Sequence, residues 1–184
     1  MTAARDRGTG SDDLTIGPPT DLDARLEQEL TALWIAVTDA GGAVGFRPPA
    51  DQDEHADAAR GVVQMAADGG TVLLVARSVG RLVGCVCLDR NPSPVKAHWA
   101  AMRRLMVHPD EQGRGLGGAL VRACHRVARD EMGLVQVHLE VRGGLGLEGF
   151  YARHGYELVG RLPGALRFED GSVHDEVLMV HRLP

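Results

Sequence analysis

The chain has 184 residues, 44% of them hydrophobic and 24% charged, with a formal net charge of -5. That length fits one domain with a sizeable core, and the composition is that of a globular protein. The acidic balance excludes bulk electrostatic attraction to nucleic acid or to anionic membranes.

No run of about 18 apolar residues is present, so no membrane-spanning helix is expected. The opening "MTAARDRGTGSDD" lacks the apolar stretch of a secretory signal. Residues 1–12 are therefore expected to be a flexible tail ahead of one domain over 13–184, in the cytoplasm. Cys85, Cys87 and Cys124 are odd in number and lack metal-type spacing, which fits buried thiols in a reducing compartment.

Leu14 to Ile16 reads as a short first strand ended by Pro18 and Pro19, with Thr20 as the cap of a helix. Leu22, Leu26, Leu30, Leu33 and Val37 recur at helical spacing, and Gly41 and Gly42 end the run. After the loop "GGAVGFRPP", a second helix covers about Asp51 to Ala67, interrupted by Gly61. "TVLLVAR" and "RLVGCVCLD" form a hairpin joined by "SVG". "HWAAMRRLMV" is a strand, followed by a glycine loop and a helix bearing Leu116, Leu120, Cys124 and Val127. "GLVQVHLEV" is the next strand and "GLEGFYARHG" a short helix. "YELVGRL" and "VHDEVLMVHRL" are the last strands, linked by the turn-rich "PGALRFEDGS". The order β-α-α-β-β-β-α-β-α-β-β is that of an α/β domain: a mixed sheet of about seven strands with helices on both faces.

The segment "LMVHPDEQGRGLGGAL" holds the most chemistry. A dinucleotide fingerprint needs G-x-G-x-x-G directly after a strand, and a nucleotide-triphosphate loop needs G-K-[ST]; neither is present. What is present is Q-x-x-G-x-G, at Gln112, Gly115 and Gly117. Glycines let the backbone approach a ligand so that amide N–H groups reach its oxygens, and the following helix adds the positive end of its dipole. Such a cradle suits a pyrophosphate without a metal or a lysine.

These residues, with the element order, resemble the GCN5-related N-acetyltransferase (GNAT) superfamily. The resemblance implies a sheet whose fourth and fifth strands splay apart, with the pantetheine of acetyl-CoA in the gap. Backbone groups of Leu105, Met106 and Val107 would bind it. Gln112, Gly113, Gly115, Leu116, Gly117 and Gly118 would hold the pyrophosphate. Arg114 would either reach the adenosine phosphates or remain a solvated loop charge. "FYARHGY" matches the pattern that places Tyr151 as the acid protonating the leaving thiolate, or alternatively as packing against pantetheine. Tyr156 is assigned to the core.

The usual asparagine seven residues before that tyrosine is replaced by Gly144. "LEVRGGLGLEGFY" is instead similar to the tabtoxin resistance acetyltransferase and its antibiotic-modifying relatives. That branch implies Glu140 as the group that deprotonates or binds the acceptor amine, unless Glu140 is paired with Arg103 or Arg142. The second glutamate of the branch falls on Ala101. Phe46 is expected to contact the acceptor, and Trp34 and Trp99 are core or pocket residues. His138 shares a strand face with Glu140. His174, Asp175 and Glu176 open the last strand near the expected acceptor channel.

Together these imply an acetyl-CoA-dependent N-acetyltransferase acting on a small-molecule amine by direct attack. No metal, nucleic acid or membrane is expected, and a homodimer is compatible with the family. Two other functions stay open: acetylation of a protein or peptide, and a non-catalytic acyl-CoA-binding module. The departures at Gly144 and Ala101 keep the latter open.

Overall fold

The computed structural model describes residues 14–168 and 170–184. The expected tail at 1–12 lies outside them.

β1 (Leu14–Gly17) is followed by α1 (Ala24–Asp39) and α2 (Gln52–Ala67). The cap of α1 is Asp23, not Thr20. The Asp23 carboxylate accepts from the Leu26 amide at 2.9 Å, which leaves Leu22 outside the helix and 41% exposed. Asp51 caps α2 in the same way, by accepting from the Glu54 amide. Gly61 is tolerated in α2 because it sits on the exposed side, where an added Cβ would meet open space.

β2 (Thr71–Ser78), β3 (Arg81–Arg90), β4 (Trp99–Val107), β5 (Gln136–Arg142), β6 (Glu157–Arg167) and β7 (Val173–Arg182) complete one sheet with β1, in the order β1-β2-β3-β4-β5-β7-β6. All neighbours are antiparallel except β4 and β5. α3 (Leu116–Arg126) crosses from β4 to β5, and α4 (Leu147–Ala152) leads from β5 to β6.

β6 continues through "PGALR", where the sequence suggests a turn. The β6–β7 pairing absorbs two extra residues between Leu162 and Leu166. Pro163 therefore sits in a bulge of an edge strand, where a missing N–H costs no ladder bond. Asp175 on β7 stitches the bulge by accepting from the Gly164 amide at 3.0 Å.

Alternation along the strands produces two cores. Leu74, Val86, Met102, Val137 and Leu139 meet α3 and α4 through Leu120, Cys124 and Tyr151. Leu73, Val75, Cys85, Cys87 and Met106 meet α1 and α2 through Leu30, Trp34 and Val63. The second core involves only β2, β3 and the end of β4, so the same face of β5 and β7 is left without a covering helix. That open face becomes half of the cavity described below. Cys85, Cys87 and Cys124 are free and buried.

Behind the first core, His125 on α3 lies against His181 at 4.1 Å between ring centroids, and its Nε2 is 3.0 Å from the Tyr156 hydroxyl. Burial, and then the charges of His181 and His154, pushes the His125 imidazole down to about 4. In an unfolded chain histidine titrates near 6.5. Above that pH the group is neutral in both states and contributes nothing. Between 6.5 and 4 only the unfolded chain takes the proton, so stability falls as pH falls. After allowance for the partial exposure of the ring, the loss is about 1–2 kcal/mol. Urea unfolding should show this loss between pH 7 and pH 4.5, and His125→Gln should flatten that share of the slope.

Candidate active site

The site starts from an irregularity in β4. Pairing with β3 runs from Met106 opposite Cys85 to Arg103 opposite Cys87, so β4 carries one extra residue. Arg104 absorbs it with φ 54, in the left-handed region. Pairing with β5 is confined to Trp99, Ala100 and Ala101, opposite Gln136, Val137 and His138. Past that point the two strands separate. The β5-facing edge of Leu105–Val107 is therefore free of strand partners, apart from the Val107 carbonyl, which accepts from Gln112 Nε2 at 3.1 Å. Leu105 and Val107 pack toward α3, while Met106 is buried toward α1 and α2.

After β4 the chain makes a 3₁₀ turn at Pro109–Glu111 and enters the glycine loop. Gly113 and Gly115 have φ of 74 and 83, and a Cβ at either would meet open space. Gly115 is the cap of α3 and offers no side chain to its first N–H groups. Those donors remain available to an anion. Gly118 serves packing as well: a Cβ there would lie 2.9 Å from the His154 ring.

The free edge of β4, the loop and the uncovered face of β5 and β7 enclose one cavity of about 1470 Å³. A single drug-sized ligand needs about 300–1,000 Å³, so this volume admits two substrates. Leu105, Met106, Val107, Gln112, Gly113, Gly115, Leu116, Gly117, Gly118, Glu140, Tyr151 and Phe46 all line it. Arg114 does not line it; its side chain is 71% exposed and pairs with Glu111 at 2.8 Å.

Tyr151 on α4 is 8% exposed. Burial, and then Cys124, pushes its phenol up to about 12. Its hydroxyl makes no hydrogen bond to the described residues, whereas the Tyr156 hydroxyl is engaged by His125 and by the Met102 sulfur. Tyr156 is thus a core residue, and Tyr151 holds an unused donor beside the cavity. Cys124 is fully buried, does not line the cavity, and burial raises its thiol far above the ordinary range.

Glu140 pairs with Arg103 at 3.4 Å and remains 42% exposed. It does not pair with Arg142. Asp89 takes up the rest of the local positive charge, facing Arg104 at 3.2 Å and Arg103 at 3.6 Å. His138 stacks on Trp99 at 4.1 Å, and burial lowers its affinity for a proton. Phe46 is held at the rim between Trp34, edge-on at 5.5 Å, and His55 at 4.3 Å. The Trp34 indole N–H donates to the Val44 carbonyl at 3.0 Å and pins the same loop. Glu176 lines the cavity, while Asp175 is occupied by Arg161 and the Gly164 amide.

Sequence reasoning missed Phe168 and the cavity roles of Arg103, Arg104 and Arg142. The two-residue alternation from Glu140 points to Arg142. Nothing local marks Phe168, which reaches the cavity from the β6–β7 connection.

The model of the acetyltransferase (GNAT) family matches residues 24–156. Among solved structures, a putative phosphinothricin N-acetyltransferase is 16% identical with a TM-score of 0.75, covering 93% of this chain and 99% of its own. The ribosomal-protein-alanine N-acetyltransferase of Brucella melitensis is 19% identical with a TM-score of 0.75, covering 92% and 99%. YncA, a putative acetyltransferase from Salmonella typhimurium solved with its cofactor acetyl-CoA, is 18% identical with a TM-score of 0.75, covering 94% and 95%.

Gly115→Ala tests the loop. A Cβ at φ 83 costs about 1–2 kcal/mol of stability and adds bulk at a cavity-lining position. Denaturant unfolding should report that loss, and calorimetry should show acetyl-CoA affinity lowered at least tenfold, about 1.4 kcal/mol.

Proposed function

We propose that this chain, which belongs to the acetyltransferase (GNAT) family, transfers the acetyl group of acetyl-CoA to a primary amine of a small molecule. The observation that carries this is a convergence on one cavity: a strand edge with free peptide groups, a glycine cradle, and Tyr151 with an unused hydroxyl. The free edge of β4 suits the amides of pantetheine, which would add to the sheet as a further strand does. The uncapped start of α3 and the open glycines suit a pyrophosphate. No residue of the cradle needs a metal to complete it.

Acceptor attack forms a C–N bond and breaks the C–S bond of the thioester, and the proton lost by nitrogen must end on sulfur. Glu140 is the group that binds the incoming ammonium and takes or relays its proton. Arg103 beside it orients the carboxylate. Tyr151, held at about 12, stays protonated at neutral pH; giving its proton outright to a thiolate of ordinary pKa would cost about 5 kcal/mol. Its role is to donate a hydrogen bond to the thiolate as charge develops, and to deliver a proton only as another replaces it. The buried, protonated Cys124 supports direct attack over an acyl-enzyme.

Aromatic and apolar walls around a carboxylate support a small amine as acceptor. Glu140 in the cavity supports the likeness to the antibiotic-modifying branch despite Ala101. Three free, buried cysteines suit a reducing cytoplasm. Among the described residues no helix is long and apolar enough to cross a membrane.

Thiol release from acetyl-CoA across a panel of small amines and peptides tests this. Small amines should be turned over. Tyr151→Phe should lower kcat about 100-fold while acetyl-CoA still raises Tm. Glu140→Gln should lower kcat/KM at least tenfold. If acetyl-CoA raises Tm and no acceptor raises thiol release, the chain is a binding module.

A further inference from the structure

Arg142 is the unresolved charge in the cavity. Of the other arginines lining the cavity, Arg103 pairs with Asp89 and Glu140, Arg104 pairs with Asp89, and Arg90 is exposed at the end of β3; nearby, Arg161 pairs with Glu148 and Asp175, and Arg47 with Asp170. Arg142 forms no ion pair with the described residues, although Glu176 lies directly across from it on β7. Its Nε is buried without a hydrogen-bond partner, the only such side-chain atom among the described residues.

Its guanidinium lies over the Phe168 ring at 4.2 Å from the centroid, and Arg47 approaches the same ring at 5.4 Å. Burial, and then the Arg47 charge, weakens the hold of Arg142 on its proton, yet a guanidinium remains charged at any ordinary pH. Stacking engages the face of the guanidinium and leaves its in-plane N–H fork for an acceptor. A partly buried cation without a carboxylate partner is unfavourable until an anion reaches its outer N–H groups.

Arg142 and Glu140 are two residues apart on the same face of β5, about 7 Å along the strand. Building on the acetyltransferase reading above, we infer that Arg142 is the anion anchor of the acceptor site. The acceptor is then an amine that also carries an oxyanion a few bonds away. Its ammonium goes to Glu140, and its carboxylate, phosphinate or phosphonate goes to the Arg142 fork above Phe168. A neutral or polycationic amine leaves Arg142 unpaired and is disfavoured.

The test uses the full chain saturated with coenzyme A. The ligands are a set of amino acids and aminoalkylphosphonates, the amino acids each matched by its primary amide. Acids of at least one kind should raise Tm where the amides do not, and which kind does so separates carboxylate from phosphonate. Arg142→Gln should abolish that rise while retaining the rise given by coenzyme A alone. In turnover, kcat/KM for the preferred acid should fall about 10- to 100-fold in Arg142→Gln, the loss expected for a charge-assisted hydrogen bond, mainly through KM. Arg142→Lys should recover only part of it.

The anchor is overturned if amides raise Tm as much as acids, or if the acid response survives Arg142→Gln. It is equally overturned if that variant loses the coenzyme A response, since Arg142 would then serve the donor or the fold. Acids that bind through Arg142 but release no thiol would sink acetyl transfer and leave the anion site standing. Turnover of amides in preference to acids would do the reverse.

Discussion

The left-handed residue at Arg104 is the constraint on which the active site depends. An L-residue at φ 54 costs about 1–2 kcal/mol, and here it lets β4 carry one residue more than β3. The strand turns away from β5 immediately after Ala101, which produces a free peptide edge in the interior of the sheet. Asp89 helps to hold the kink by facing the Arg104 side chain, and is itself anchored by the Thr71 hydroxyl at 2.6 Å. Strain persists in folded proteins where surrounding contacts over-determine it, and it concentrates at functional sites.

From that kink the division of labour follows. The α3 side of the gap meets a helix start without a side-chain cap, so it suits phosphate. The opposite side meets a sheet face that α1 and α2 do not cover, so it is walled by side chains of β5, β7 and the loops. In the proposed reading the donor half is built from backbone groups. The proposed acceptor half is built from side chains such as Phe46, Glu140, Arg142 and Phe168, which can change without disturbing the backbone cradle. Charge is distributed accordingly: Arg103 and Arg104 are paired with carboxylates of the protein, and Arg142, buried at its Nε without a partner, is the proposed ligand anchor.

The sequence carries the donor half clearly. The glycine spacing, the strand before it and the "FYARHGY" segment are local signals, and the structure gathers those residues around one cavity. Strand and helix order is equally legible because hydrophobic periodicity is local. The kink is not: nothing in "AMRRLMV" marks Arg104 as left-handed, since that conformation arises from pairing with β3 and from Asp89. The cap of α1 is Asp23 rather than Thr20 because the Asp23 carboxylate reaches the amide of Leu26, the first buried residue of a helix that starts at Ala24. "PGALR" became strand because β7 supplied a partner and Asp175 a donor-acceptor stitch. Phe168 reaches the cavity only through that extended hairpin. The sequence offers strand neighbours such as Arg103 and Arg142 as partners of Glu140, and three-dimensional spacing selects Arg103.

Amide hydrogen exchange with and without acetyl-CoA tests the account most directly, because it reads the backbone groups that the kink sets free. The account predicts added protection at Leu105 to Val107 and at Gly113 to Gly118, with β1, β2 and β6 unchanged. Acetyl-CoA that stabilises the protein while leaving those amides unprotected would contradict it.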